Sequence, residues 1–208
     1  MSPKGRPNKE NRPVIVVAGE SENDRQVLHH LIRSLHPGKK IVPIRRKTVL
    51  STAEKHLSPR VDELRRLAKT AAVGADLAGI VVHVDLDTVD EARYVKVRER
   101  ITSELSKVFP CPSALALAAY ETEAWLMQFP KAFSRLNSGW TLHSRYRGCD
   151  LTKVDDPKKK LMDHRWVPSY RESDAPRIME KAFLEGELMK PDGKNRSYQE
   201  FMDELSAW

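Results

Sequence analysis

The fold of this chain is decided by the stretch Ala78-Gly79-Ile80-Val81-Val82-His83-Val84-Asp85-Leu86-Asp87. Its first seven residues are mostly apolar and rich in β-branched side chains, without the polar alternation of a strand that has one face in water. This pattern is typical of a buried strand in a parallel sheet whose two faces are covered by helices. The two acids follow at the carboxyl end of the strand, where open α/β sheets bind their ligands.

Three further apolar runs have the same character, and segments with helical spacing of apolar residues separate them. The predicted strands cover 13–19, 41–47, 78–84 and 113–119, and the predicted helices cover 22–35, 53–73, 91–109 and 121–128. Alternating strands and helices predict an α/β fold with a four-stranded, mainly parallel sheet flanked by helices. Right-handed crossovers then bring the carboxyl ends of all four strands to one edge of the sheet.

The pattern divides the chain into three parts. Residues 1–12 are basic and polar and lack the apolar core of a secretory signal, so we expect a disordered leader. Residues 13–130 are expected to form the α/β domain. Residues 131–208 are expected to form a helical extension packed on it, with two short helices near 175–184 and 198–205.

Large aromatic residues in this extension allow two interpretations. Trp140, Tyr146 and Trp166 stand among arginines and lysines. Aromatic rings in basic surroundings can stack on unpaired bases of a nucleic acid. A small helical extension also needs large residues to pack, and both interpretations stay open.

The composition narrows the class of protein. Of 208 residues, 40% are hydrophobic and 31% are charged. No run approaches 18 apolar residues, so we expect no membrane span. The two cysteines, Cys111 and Cys149, have neither Cys-x-x-Cys spacing nor a nearby histidine pattern, which argues against a disulfide framework and against a structural zinc site. We therefore expect a cytoplasmic protein with two ordinary thiols.

Positive charge is concentrated between residues 33 and 69, where eleven lysines and arginines stand against three acids, in a chain whose net charge is +7. Such an excess repels itself unless it faces counterions or a polyanion. A solvated helix face is the commoner explanation of a charge run. Together with the acids elsewhere in the chain, however, the run favours contact with a nucleic-acid backbone, and Arg45, Arg46 and Lys47 are the candidate contacts.

Acidic residues directly follow three of the predicted strands, namely Glu20, the pair Asp85 and Asp87, and Glu121. Mg²⁺ prefers oxygen ligands, and one or two carboxylates together with substrate phosphate oxygens suffice to bind it. Taken alone, Asp85 and Asp87 are better explained by a solvated acidic turn, and Glu20 is explained by the dipole of the helix that follows. Their convergence on one sheet edge favours a metal site, because clustered carboxylates without a cation raise each other's pKa.

Two motifs in the chain resemble those of the Toprim domain. Glu20-Ser21-Glu22-Asn23-Asp24-Arg25-Gln26-Val27-Leu28 is similar to the first Toprim motif, in which a strand-ending Glu is followed by Gly, by an acid four positions on and by Leu eight positions on. His83-Val84-Asp85-Leu86-Asp87 resembles the Asp-x-Asp motif met in topoisomerases, primases, small RNA-maturation nucleases and OLD-type nucleases. The segment 119–126 and, loosely, Asp156-Pro157-Lys158 and residues 197–201 resemble small stand-alone Toprim proteins. Ser21 departs from the family pattern.

The resemblance implies a Rossmann-like Toprim fold and a role for each matching acid. Glu20 would be the general acid/base or a shared metal ligand. Asp85 and Asp87 would be the principal ligands of Mg²⁺ or Mn²⁺, and Asp24 would support the metal. Two ions held in this way would activate a water and stabilise the leaving oxygen of a phosphodiester.

Roles for further residues near these acids follow either from the resemblance or from their position in the predicted elements. Glu123 or Glu121 would complete the shell of a second ion by the resemblance. Arg25, one turn into the first helix, would reach a phosphate, although an ordinary surface arginine is the favoured explanation. His83 lies inside the predicted strand, where a structural, hydrogen-bonded histidine is favoured over a ligand.

The first motif also has an alternative register. If Gly19 takes the place of the family glycine, Ala18 occupies the glutamate position and Glu22 that of the second acid. The protein would then be a degenerate member of the family. We favour Glu20, because it directly ends the strand and because Leu28 then falls on the apolar stripe of the helix.

The leading hypothesis is a Mg²⁺- or Mn²⁺-dependent nuclease acting on DNA or RNA, and the resemblance adds a mobile-element or phage-defence role. The alternative is a catalytically decayed module for nucleic-acid binding or complex assembly. A receiver-like or small-molecule phosphotransfer domain also places acids at strand ends, but it fits the basic segment less well. A homodimer, or a partner protein from a neighbouring gene, is expected for either of the first two.

Overall fold

The computed structural model describes residues 12–50 and 56–208. The predicted leader therefore lies outside the described residues except for Arg12, and so do the first three residues of the helix predicted at 53–73. The strands are β1 (Val14–Ala18), β2 (Lys40–Pro43), β3 (Leu77–Asp85) and β4 (Ser113–Ala118). The helices are α1 (Glu22–Leu35), α2 (Leu57–Ala71), α3 (Glu91–Val108), α4 (Glu123–Leu126), α5 (Pro130–Leu136), α6 (Pro157–Met162), α7 (Ala175–Leu184) and α8 (Arg196–Ser206).

The four strands form one sheet in the order β2-β1-β3-β4, and all three pairings are parallel. The predicted α/β fold with a four-stranded parallel sheet flanked by helices is thus confirmed. Ala18 pairs with Val82 and Asp85 pairs with Ala118. These pairings align the carboxyl ends of β1, β3 and β4, so the chain segments that follow those strands leave the sheet side by side.

The alternation of side chains along β3 assigns its residues to two cores. Ile80, Val82 and Val84 belong to a core with apolar residues of α2 and α3. Val81 belongs to the core on the other face, which α1 covers. Because side chains two positions apart share a face, His83 and Asp85 lie on the α1 face of the sheet. The polar end of β3 is therefore aimed at the start of α1.

The C-terminal extension packs on that same face and shares its core. The ring of Trp125 stacks on Phe201 of α8, with their centroids 5.6 Å apart, and α7 lies along α1. At the sheet edge, Glu204 of α8 accepts a hydrogen bond of 2.9 Å from the backbone N–H of Leu115 in β4. The extension thus covers both an apolar face and an otherwise unpaired strand edge.

The large aromatic residues of the extension serve its packing. Trp140, Tyr146 and Trp166 are all buried. The rings of Trp140 and Trp166 stack at 5.2 Å, and Nε1 of Trp140 donates to the carbonyl of Pro168. Of the two interpretations left open by the sequence, packing is the one that the structure supports, because buried rings offer no face to a base.

Some element boundaries differ from the predicted ones. The strand predicted at 41–47 ends at Pro43, although Ile44 N–H still donates to Val17 O and Thr48 N–H to Gly19 O. The helix predicted at 121–128 is one turn long, because a new helix with proline in its first turn begins at Pro130. Among the described residues, no helix is both long enough and apolar enough to span a bilayer.

Candidate metal centre

An acidic cleft opens at the carboxyl edge of the sheet, between the ends of β1, β3 and β4. It encloses about 200 Å³, and the polar residues that line it are Glu20, Ser21, Asn23, Asp24, Lys47, Asp85, Thr122, Glu123, Lys158 and Glu172. Four of the acids predicted as metal ligands, from three separate stretches of chain, therefore share one cleft. The parallel topology brings them together, since each stretch follows or caps a strand end.

Asp85 lies at the centre of this acidic cleft. Burial is the largest cause that raises its pKa well above the usual range, and the charges of Asp24, Glu20, Asp87 and Glu121 add to the effect. Its Oδ1 atom is buried and has no hydrogen-bond partner among the described residues. A carboxylate in this position is unfavourable when ionised without a cation, because burial removes part of its hydration and no donor among the described residues compensates the charge on Oδ1.

Asp24 is positioned by the N-terminal cap of α1. The hydroxyl of Ser21 accepts a hydrogen bond from Asp24 N–H at 3.1 Å, and it donates one to Asp24 Oδ2 at 2.6 Å. The backbone N–H of Ser21 donates to the same Oδ2 at 3.0 Å, which completes a capping box. Ser21, where the Toprim pattern has glycine, thus orients an acid of the cleft.

Glu20 follows β1 and is half-buried at the cleft wall. Burial is the largest cause that raises its pKa, whereas the charge of Lys47, whose Nζ lies 3.8 Å from Oε2, lowers it. The alternative register of the motif fits the structure less well. Ala18 is fully buried inside β1, and Glu22 is exposed and paired with Arg25. Of the two candidate positions, only Glu20 lines the cleft.

Asp87 stands apart from the other predicted ligands. Its side chain is exposed, its φ is +54°, and its backbone N–H donates to Tyr120 O at 3.2 Å. It is not among the residues that line the acidic cleft, although its charge raises the pKa of both Glu20 and Asp85. The structure therefore places Asp87 at the rim of the cleft.

Glu123 closes the acidic cleft from the side of α4. Burial is the largest cause that raises its pKa to about 7, while the charge of Lys158 lowers it. Its Oε1 accepts a hydrogen bond of 3.1 Å from the hydroxyl of Tyr170. A buried carboxyl with a pKa near neutrality changes its protonation state readily at physiological pH.

Lys158 was not predicted as a site residue, although the Asp156-Pro157-Lys158 sequence was noted as a resemblance. Its Nζ lies 3.0 Å from Glu121 Oε1 and 3.2 Å from Glu172 Oε1. Its backbone N–H also donates to Glu121 Oε2 at 3.2 Å. The extension thereby places the ammonium group of Lys158 beside the acids, and Glu121 pairs with it.

Arg25 has a different environment from the one that a surface arginine would have. It is buried, and its Nη1 donates to Gly19 O at 3.1 Å while its Nη2 pairs with Glu22 at 2.8 Å. Its guanidinium thus ties α1 to the end of β1. Contact between Arg25 and a phosphate stays a prediction, and these bonds compete with it.

The predicted nucleic-acid contacts Arg45, Arg46 and Lys47 are exposed on the segment after β2. Arg46 pairs with Glu63 of α2 at 2.5 Å. A second cleft of about 300 Å³ beside this segment is lined by Arg46, Lys47 and Arg60, among others. Lys47 lines both this cleft and the acidic one, so a basic surface adjoins the carboxylates directly.

His83 is fully buried next to the acids. Its Nε2 lies 2.7 Å from the hydroxyl of Thr122, which agrees with the hydrogen-bonded histidine expected from the sequence. Its Nδ1 lies 3.6 Å from Asp24 Oδ2, and its Nε2 lies 3.5 Å from Asp85 Oδ1. Ligand atoms of Asp24, His83 and Asp85 all lie within 4.8 Å of one another.

The structure therefore brings Glu20, Asp24, Asp85 and Glu123 into one cleft and keeps Asp87 at its rim. The carboxylates and the unpaired Asp85 oxygen are a donor set that fits a divalent ion. Comparison of the chain with protein-family profiles, with curated proteins and with solved structures finds no match.

Proposed function

We propose that this chain is a Mg²⁺- or Mn²⁺-dependent hydrolase that cleaves phosphodiester bonds in DNA or RNA. The observation that carries the proposal is the Oδ1 atom of Asp85, which is buried and lacks a hydrogen-bond partner among the described residues, in a cleft that Asp85 shares with Glu20 and Asp24. Such a cluster is stable only when it is protonated or binds a cation. The Toprim resemblance of the segments 20–28 and 83–87 assigns the same residues to a metal.

Glu20, Asp24, Asp85 and Asp87, with Glu123 for a second ion, are the residues that would hold the metal. When bound there, such an ion lowers the pKa of a coordinated water and offsets negative charge on the phosphodiester. Burial raises the pKa of the half-buried Glu20 carboxyl, which makes it a stronger base than an exposed glutamate and suits it to accept a proton from a reacting group.

The charge pattern supports a polymeric phosphate substrate. Lys47 is exposed for 65% of its side chain and lines both the acidic and the basic cleft. A backbone lying across the two clefts would present one phosphate to the acids and its neighbours to Arg45, Arg46 and Lys47. Nonspecific electrostatic contacts of this kind supply most of the affinity of proteins for a nucleic-acid backbone.

One observation favours the alternative of a catalytically decayed binding or assembly module. The Nζ of Lys158 lies within 3.2 Å of two carboxylates, Glu121 and Glu172, so part of the negative charge is compensated without a metal. A cytoplasmic location, a role in mobile-element biology or phage defence, and association as a homodimer or with a neighbouring gene product are part of the proposal under either function.

The purified chain should be incubated with supercoiled plasmid, linear duplex DNA and single-stranded RNA, in Mg²⁺, in Mn²⁺ and in EDTA. We expect ion-dependent cleavage of at least one polymer, and its loss in Asp85→Asn. Asp62→Asn, on the exposed part of α2, is the matched control and should cleave normally. Full cleavage by folded Asp85→Asn would refute the proposal, and ion binding without cleavage of any polymer would favour the decayed module.

A further inference from the structure

We propose that His83 is a metal ligand through Nδ1, alongside Asp24 and Asp85, and that the centre therefore prefers a divalent transition ion to Mg²⁺. This inference rests on the proposed metal dependence of the site and names the ion class. Neither the charge pattern nor the Toprim resemblance assigns a nitrogen ligand here. Three features of His83 support this role: its distance from the acids, the unpaired Nδ1 atom and the hydrogen bond that holds Nε2.

The spacing of the three side chains suits a shared ion. Two ligands of one ion, each about 2.1 Å from it, lie about 3 to 4.2 Å apart, depending on the angle between them. The distance from His83 Nδ1 to Asp24 Oδ2 is 3.6 Å, and the atoms offered by all three residues lie within 4.8 Å of one another. Oδ1 of Asp85 lies 3.5 Å from the other ring nitrogen, Nε2, so the Asp85 side chain must turn toward Nδ1 to complete the set.

Two atoms of this group are buried without a hydrogen-bond partner among residues 12–50 and 56–208. They are Nδ1 of His83 and Oδ1 of Asp85. Buried polar atoms are almost always paired in native proteins, so two unpaired atoms on adjacent positions of one strand face require an explanation. A cation bound at Nδ1 that also binds Asp85 would satisfy the imidazole lone pair and the carboxylate charge together.

The second ring nitrogen of His83 is already held in the way that metal-ligating histidines require. With Nδ1 as the ligand, Nε2 carries the proton and donates it to Thr122 Oγ1 at 2.7 Å. Such a bond to the other nitrogen fixes the tautomer and the ring orientation of a ligating histidine. Thr122 is itself buried, at the turn that leads into α4.

The nitrogen ligand determines the preference between ions. Mg²⁺ is a hard ion that takes oxygen ligands and keeps several waters, whereas transition ions also accept imidazole. A cleft whose ligands are all carboxylates would prefer transition ions over Mg²⁺ less strongly. Replacing the imidazole should therefore weaken the binding of a transition ion more than that of Mg²⁺.

The test uses the whole purified chain with Mn²⁺ as the probe, since Mn²⁺ is paramagnetic. Electron spin echo envelope modulation of the bound ion should show coupling to a ¹⁴N nucleus in the wild-type protein. The coupling should disappear in His83→Gln, whose amide reaches Thr122 as Nε2 does but offers nothing at Nδ1. His29→Gln, on α1 and outside the cleft, should retain it.

Isothermal titration gives the second readout. We expect His83→Gln to raise the Kd for Mn²⁺ at least about tenfold, while the Kd for Mg²⁺ changes less than about threefold. Circular dichroism identifies variants that do not fold. If His83→Gln does not fold, the spectrum of the wild-type protein is compared with that of folded Asp85→Asn instead. The ¹⁴N coupling should be present in the wild-type protein and absent in Asp85→Asn, which loses the ion site.

Absence of ¹⁴N coupling in the wild-type protein, or its persistence in folded His83→Gln, would overturn the inference. These readouts do not depend on cleavage. Ion-dependent cleavage without nitrogen coupling would remove the inference and leave the proposed function in place. Nitrogen coupling without cleavage of any polymer would do the reverse.

Discussion

The hydroxyl of Tyr170 donates a hydrogen bond of 3.1 Å to Oε1 of Glu123. Tyr170 belongs to the C-terminal extension, whereas Glu123 begins α4, the short helix that follows the edge strand β4. Lys158 and Glu172, also from the extension, line the same acidic cleft. The extension thus forms one wall of the candidate site and also covers the sheet. Substitutions in the extension should therefore affect the site, and substitutions in the site should affect the packing of the extension.

We expect Glu123→Gln to stabilise the metal-free protein at neutral and alkaline pH. Burial raises the pKa of Glu123 from 4.5 to about 7. Because the folded-state pKa is the higher one, stabilisation by the protonated carboxyl is full below pH 4.5 and is lost as the pH rises through about 7. The glutamine does not ionise, so its advantage in unfolding free energy should grow by about 3 kcal/mol from pH 4 to pH 8.

Urea unfolding followed by circular dichroism in EDTA measures this difference. Glu99→Gln, on the exposed side of α3, is the control and should show no such trend. If the unfolding free energy of Glu123→Gln changes with pH in parallel with that of the wild-type protein from pH 4 to pH 8, the pKa of Glu123 is not raised.

Asp85→Asn should raise the melting temperature of the metal-free protein at pH 7 and abolish its further rise in Mn²⁺. Burial and neighbouring acids make the ionised Asp85 unfavourable without a cation, and the amide removes that charge. A gain of about 1 kcal/mol in unfolding free energy raises the melting temperature of a chain of this size by roughly 2 to 4 °C. Differential scanning fluorimetry measures both effects, and an unchanged response to Mn²⁺ would exclude Asp85 as a ligand.

Ser21→Ala is expected to cost about 1 kcal/mol of unfolding free energy, whereas Ser21→Gly should cost only about 0.3 kcal/mol. Alanine removes the hydroxyl that caps α1 at 3.1 Å, while glycine leaves room for water at the N-terminus. Ser134→Ala, whose hydroxyl is exposed, serves as the control in the same chemical denaturation series. An unfolding free energy of Ser21→Ala equal to that of the wild-type protein would show that the cap does not stabilise α1.

Lys47→Ala should weaken nucleic-acid binding by a similar factor for every sequence tested. Each phosphate contact that is lost lowers the slope of log affinity against log salt concentration by about 1. Fluorescence anisotropy with labelled oligonucleotides in EDTA at several salt concentrations measures this slope. Lys190→Ala, exposed in the extension, should leave it unchanged, and equal slopes for wild type and Lys47→Ala would argue against a backbone contact there.

Phe201→Ala should cost about 3 to 5 kcal/mol, because a fully buried ring that stacks on Trp125 is replaced by a cavity. Leu184→Ala, at a position 65% exposed, is the control and should change stability little. The shared core also predicts one cooperative transition, with far-ultraviolet dichroism and tryptophan fluorescence changing together. Two separate transitions would instead mean that the extension folds independently.

Much of the fold follows from local patterns in the sequence. The helix predicted at 22–35 has these bounds in the structure, and the strand predicted at 113–119 ends one residue earlier. The helix has apolar residues at helical spacing, and the strand is an apolar run after Pro112 that is too short for a buried helix. The β2 strand is shorter than predicted, because exposed basic residues after Pro43 lie beside the sheet without joining it. The strand order β2-β1-β3-β4 was not predicted, since equally apolar strands can pair in several orders.

By itself, the sequence determined the parallel α/β architecture and the acids at the strand ends, because parallel topology alone carries Glu20, Asp24 and Asp85 to one edge. Only the tertiary structure placed Asp87 at the rim, tied Lys158 and Tyr170 to that edge, and left His83 Nδ1 unpaired beside Asp24. The physical reason is the distance along the chain over which each feature is determined. Where a strand ends follows from neighbouring residues, whereas the position of an extension residue depends on packing between segments far apart in the chain, which no local sequence pattern predicts.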